Sequence, residues 1–133
     1  MVDYPDFYTV GLTLGEAQVY RGEAKTMVGI ATNLAAGNDE HVLSYTVPSG
    51  KNFYITCIQC SQYECASGES ANYQAYTGSI YFLILSTSSY SPSAVATFPS
   101  PIRIDGGDTL NAYIINTGST TGTFYITIAG YLL

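Results

Sequence analysis

The chain has 133 residues and a mass of 14.3 kDa, is 47% hydrophobic but only 11% charged, and carries a formal net charge of -6. Its length fits a single domain with one core, and the acidic balance opposes the phosphate contacts that drive nucleic-acid affinity, so no DNA or RNA partner is expected. The opening "MVDYPDFYTVGL" lacks the basic start and apolar centre of a secretory signal, and nowhere do about 18 apolar residues run together as a membrane helix requires.

Charged residues fall far below the roughly 25% of an average soluble protein, so the surface has to be built from Ser, Thr, Asn, Gly and Tyr. Tyr occurs 13 times and Trp never. The apolar residues are mostly Val, Ile, Tyr and Phe in short runs separated by Gly, Pro, Ser, Asn and Asp, the signature of strands and turns. In chain order, "DFYTVGL" and "TMVGIATNL" read as strands. The segment from Gly15 to Gly29 has good helix formers but is interrupted by Gly22, at a cost of about 1 kcal/mol against Ala, and reads as an arm or extended segment, with a short helix as the lesser alternative. Residues 1–38 are therefore expected to form an N-terminal arm or extended segment, and residues 39–133 a β-sandwich domain.

"HVLSYTV" alternates with period 2, placing Leu43, Tyr45 and Val47 on one face. The turn "PSGK" and the strand "NFYITCIQCS" follow, so residues 45 to 60 read as a hairpin. The polar stretch from Ser61 to Gly78 shows no sustained periodicity and is expected to be a projecting loop or a pair of short irregular strands. "SIYFLILSTS" is apolar on both faces and reads as a strand covered on two sides. "YSPSAVATFPSPIRI" gives two short pieces broken by Pro92, Pro99 and Pro101, residues that guard an edge against further pairing. "DGGDTLNAYIINTG" places Leu110, Ala112 and Ile114 on one face, and the closing strand places Phe124, Ile126 and Ile128 inward. About eight strands with turns between them give an all-β fold, a single antiparallel β-sandwich of jelly-roll type with an extended N-terminal arm.

Cys57, Cys60 and Cys65 are spaced C-x2-C-x4-C, which invites a zinc reading. Within one strand, however, an offset of three puts Cys57 and Cys60 on opposite faces, their Cα atoms roughly 10 Å apart and beyond disulfide reach. Free thiols, or a local Cys60–Cys65 bridge, are the remaining alternatives, and no metal or cofactor is expected. His41 is the single histidine, no G-x-S-x-G elbow accompanies it, and no enzymatic activity is expected. Asp105 and Asp108 in "DGGD" could offer oxygens to calcium, but the same four residues form an ordinary turn. The aromatics are better placed for contact. Tyr63, Tyr73, Tyr76 and Tyr81 surround the 61–78 segment, and Tyr63, Tyr73 and Tyr76, with Tyr4, Phe7, Tyr8 and Tyr20 in the arm, are the candidate interface residues; without Trp, a protein interface is favoured over a sugar platform.

"YTVPSGKNFYITCI", "FPSPIRIDGGDTLNAYIIN" and "GTFYITIAGYLL" together resemble small β-sandwich proteins of viral particles, particularly phage capsid decoration and accessory proteins. The resemblance covers about residues 42 to 133 and carries no catalytic motif. It implies a capsid decoration or cement protein, made in the host cytoplasm and located in the virion, that binds the major capsid protein or other virion subunits and stabilises the shell by bridging them. A symmetric homo-oligomer, with a trimer favoured, is part of that implication. Alternatives of the same origin are a jelly-roll capsid or spike subunit, and a receptor- or glycan-binding module of a viral fibre.

Overall fold

The structure is a computed structural model and describes residues 22–64 and 67–133. Eight strands follow one another along these residues: β1 (Glu23–Leu34), β2 (Asp39–Thr46), β3 (Phe53–Gln62), β4 (Ser70–Thr77), β5 (Ile80–Ser88), β6 (Ser93–Ile104), β7 (Thr109–Asn116) and β8 (Gly122–Leu132). They form two four-stranded sheets, β1-β8-β3-β6 (sheet A) and β2-β7-β4-β5 (sheet B). Every pairing is antiparallel.

The pairings nest. β4 pairs with β5, β3 with β6, β2 with β7 and β1 with β8, as if one long ribbon, folded back at the β4–β5 turn, had been rolled into two layers. This is the jelly-roll order, and closing the roll adds the β8–β3 and β7–β4 pairs.

The rolling corrects several expectations. Residues 45 to 60 are not a hairpin: β2 lies in sheet B and β3 in sheet A, because the ribbon crosses between layers at Val47–Asn52. Residues 23–34 do not belong to an arm, since β1 pairs with β8 from Glu23 to Leu34; residues 1–21, including "DFYTVGL", lie outside the described residues. The 61–78 stretch contains β4, a regular strand. β6 lies at the edge of sheet A as expected, and its pairing with β3 lapses between Thr97 and Ile102, across Pro99 and Pro101. Among the described residues β5 is an edge strand whose neighbour is β4, it is not covered on both sides, and Ile80 and Ile84 are exposed at 67% and 63%.

Period-2 alternation gives each sheet one apolar face, and the two faces meet as the core. Sheet A contributes bulky side chains, Phe53, Ile55, Ile58, Phe124, Ile126 and Ile128, all fully buried. Sheet B answers with Ala71, Ala75 and Ala112 set among Tyr73, Leu110 and Ile114, so large groups of one layer fill the space left by small groups of the other. Two edge-on aromatic pairs span the layers, Tyr45 with Phe53 at 5.8 Å and Tyr73 with Phe124 at 6.5 Å between ring centroids.

One buried polar side chain ties three segments together. Asn116 is fully buried; its Nδ2 donates to the carbonyls of Leu34 (2.8 Å) and Thr120 (2.9 Å), and its Oδ1 accepts from the Gly118 amide (2.9 Å). The end of β1 and the β7–β8 connection are thereby fixed to β7, which satisfies backbone groups that would otherwise be costly to bury.

Candidate functional site, an uncharged aromatic face

The inward alternation of each strand dictates what stands outside. On β7 the outward residues are Thr109, Asn111, Tyr113 and Ile115, on β4 they are Ser70, Asn72, Gln74 and Tyr76, and β5 carries no charged residue at all. The described carboxylates lie at strand starts or in connections: Glu23, Asp39, Glu40, Glu64, Glu69, Asp105 and Asp108. The outer face of sheet A is nearly as neutral. Val28 and Val95 are exposed there, and Tyr54 stacks on Tyr131 with ring centroids 5.1 Å apart. Keeping charge at the ends leaves both broad faces free for contact, since desolvating ionised groups is the largest cost of burying a surface.

Cross-strand register then builds the most distinctive feature of sheet B. Tyr76 stands opposite Tyr81, and Tyr113 opposite His41. Tyr81 stacks on Tyr76 (4.8 Å, 17° between planes), Tyr76 stacks on Tyr113 (5.8 Å, 7°), and His41 leans on Tyr113 (5.1 Å, 43°). One row of four rings therefore crosses all four strands of the sheet. Its spacing is close to that between neighbouring strands, so each ring is turned edge-on to solvent and its faces are spent on the next ring. Loss of solvent and then the neighbouring Tyr113 and Tyr81 phenols hold the Tyr76 phenol above its ordinary value. Such a row offers ring edges and hydroxyls to a partner, and no open face between its members.

Of the residues singled out from sequence, Tyr76 belongs to this row. Tyr63 is 67% exposed just beyond β3, away from it. Tyr73 is corrected: it is fully buried, because an offset of three along β4 sends it to the face opposite Tyr76. Its hydroxyl donates to the Ser61 carbonyl (3.1 Å) and shares a hydrogen bond with Thr87 Oγ1 (2.8 Å). Tyr4, Phe7, Tyr8 and Tyr20 lie outside the described residues. Tyr81, grouped with Tyr76 beside the same segment, is its neighbour in the row, while Tyr113 is added by the structure, its outward strand position being the available signal.

The remaining candidates take ordinary places. Cys57 is half-buried and Cys60 buried on opposite faces of β3, both as free thiols, while Cys65 lies outside the described residues. His41 Nε2 and Asn111 Oδ1 are 2.9 Å apart on the row's flank. Asp105 pairs with Arg103 at 2.8 Å, and its carbonyl accepts the Asp108 amide to close the turn. Among the described residues no three His, Cys, Asp or Glu side chains converge as a metal site would need. No helix among them is long and apolar enough to cross a membrane.

No protein-family model and no curated protein matches the chain. Among solved structures it is similar to the VLP of the giant freshwater prawn Macrobrachium rosenbergii extra small virus (XSV), with a TM-score of 0.42 and 13% identity over 84% of this chain and 79% of that one. It is similar also to dimeric latent PorU from Porphyromonas gingivalis, with a TM-score of 0.41 and 11% identity over 82% of this chain but 13% of the PorU chain. Likeness at this level assigns no role.

Proposed function

We propose that the chain is a structural protein of a virus particle, a decoration protein that lies on the shell and stabilises it through side-chain contact rather than chemistry. The observation that carries this reading is the outer face of sheet B, where among the described residues charge is confined to the start of β2, with its row of Tyr81, Tyr76, Tyr113 and His41. Tyr-rich faces depleted of charge are what the centre of a protein interface requires. The jelly roll supports it as an architecture that recurs in capsid domains, though lectins and cupins share it. The sequence resemblance supports the choice among these. A glycan-binding module is favoured less, because the stacked rings leave a sugar no aromatic face within the row.

In the proposed mechanism the sandwich is a rigid tile. One broad face meets the shell, and repetition over a lattice sums many modest contacts into resistance to expansion. The proposal includes no catalytic step. The test adds purified protein to shells that lack it and follows their rupture temperature. Wild type is expected to co-sediment and raise that temperature, and Tyr76→Ala with Tyr113→Ala to lose both effects while keeping the strand spectrum. Absence of co-sedimentation would sink the decoration reading, and closed shells formed by this chain alone would replace it with that of a capsid subunit.

A further inference from the structure

A sandwich has four edge strands, and each presents a row of unpaired N–H and C=O groups unless something discourages a further strand. Here β1, β2 and β6 each carry a deterrent. β6 holds Pro99 and Pro101, which cannot donate to a ladder. β2 opens with Asp39 and Glu40 and slips register between His41 and Leu43. β1 carries Glu23 and Lys25 and slips between Ala31 and Leu34.

β5 carries neither charge nor proline. Its one irregularity falls at Phe82, where Ala75 faces Leu83 but Tyr76 faces Tyr81, and from Leu83 to Ser88 it runs in regular register. Its apolar side chains stand on the outside as well as the inside, with Ile84 and Tyr81 exposed at 63% and 53%. An edge so built is an aggregation liability unless it has an intended partner.

We propose that β5 pairs antiparallel with β5 of a second copy of this chain, about a twofold axis, joining the two B sheets into one eight-stranded sheet. Antiparallel pairing lets one strand serve as its own complement, as an isologous contact demands. Charge decides which edge can serve such a contact. Copies that each carry -6 repel at close range, and an edge without carboxylates is where they can meet while desolvating no ionised group. The Tyr81 end of each aromatic row would then adjoin the seam. The inference stands on β5 alone and does not depend on a virion role; a trimer of the kind the sequence resemblance implies would need another contact.

Sedimentation equilibrium of the full chain, from micromolar to near-millimolar concentration, tests it. Wild type is expected to reach twice 14.3 kDa, and Ile84→Lys to halve that mass while leaving the strand spectrum unchanged, since Ile84 points to solvent. Val95→Lys, on the exposed face of sheet A, is expected to leave the mass unchanged. Hydrogen exchange gives a readout without substitution: amides of β5 should gain protection with concentration, and those of β6 should not. A mass of 14.3 kDa at every concentration overturns the proposal. So does an oligomer that survives Ile84→Lys or dissociates with Val95→Lys.

Discussion

Gly130→Ala is expected to lower stability by about 3 kcal/mol or more, a large part of the roughly 5 to 15 kcal/mol that holds a domain folded. Gly130 sits inside β8, between Lys25 of β1 and Ile55 of β3. β3 bulges there, between Ile55 and Cys57, and Thr56 Oγ1 donates to the Ala129 carbonyl at 3.3 Å. The bulge brings the β3 backbone over Gly130, so a Cβ would fall on the Tyr54 carbonyl oxygen and 3.1 Å from Ile55 Cα. Backbone must move to admit it, and the central β3–β8 seam of sheet A would have to part. Thermal unfolding should show a drop on the order of 10 °C. Gly37→Ala is the control: its φ of 80° disfavours a side chain, but nothing lies within 4 Å of the added carbon, so a loss of only about 1 kcal/mol is expected. Equal losses at the two sites would contradict the packing assigned to the seam.

Stability is also expected to fall steeply on the alkaline side. Cys60 is fully buried, and burial pushes its thiol up from 9.0 to about 12. Below pH 9 folded and unfolded chains both keep this proton, and stability does not depend on it. Between pH 9 and about 12 only the unfolded chain releases it, so unfolding gains, by roughly 4 kcal/mol across that window. Tyr73 acts in the same direction, its phenol raised by burial first and by nearby Cys60 and Glu69, with the Thr87 hydrogen bond opposing. Denaturant unfolding in the presence of reductant should show the midpoint declining from pH 9 upward, and Cys60→Ala should flatten the slope. A wild-type midpoint that stays level from pH 9 to pH 11 would contradict the burial of these groups.

Alternation along single strands was legible, and pairing between strands was not. The inward sets Leu110, Ala112, Ile114 and Phe124, Ile126, Ile128 follow from period 2 alone, and the opposite facing of Cys57 and Cys60 follows from their offset. The supposed hairpin at residues 45 to 60 failed because a short turn between two apolar strands looks the same whether the chain returns in one sheet or crosses to the other. β4 was hidden by its composition: its inward Ala71 and Ala75 are small, so "SANYQAY" shows little hydrophobic contrast. Grouping Tyr73 with Tyr76 ignored the odd offset between them. Tyr76 and Tyr81 of the row share the β4–β5 hairpin, but Tyr113 and His41 come from strands distant in sequence, and only register brings them to it. β5 departs from its expected place for a physical reason. A strand apolar on both faces does call for cover, and among the described residues its outer side receives none.

A sandwich that works by lying in an assembly, its neutral faces against other subunits, has to travel with the particle. The most direct measurement is quantitative mass spectrometry of this chain across a density gradient of particles purified from the source that encodes it. The chain is expected to migrate with the particle band at a fixed ratio to the main shell protein, and to leave it as intact folded protein when the particles are dissociated. A chain found only at the top of the gradient, with none in the particle band, would contradict the account.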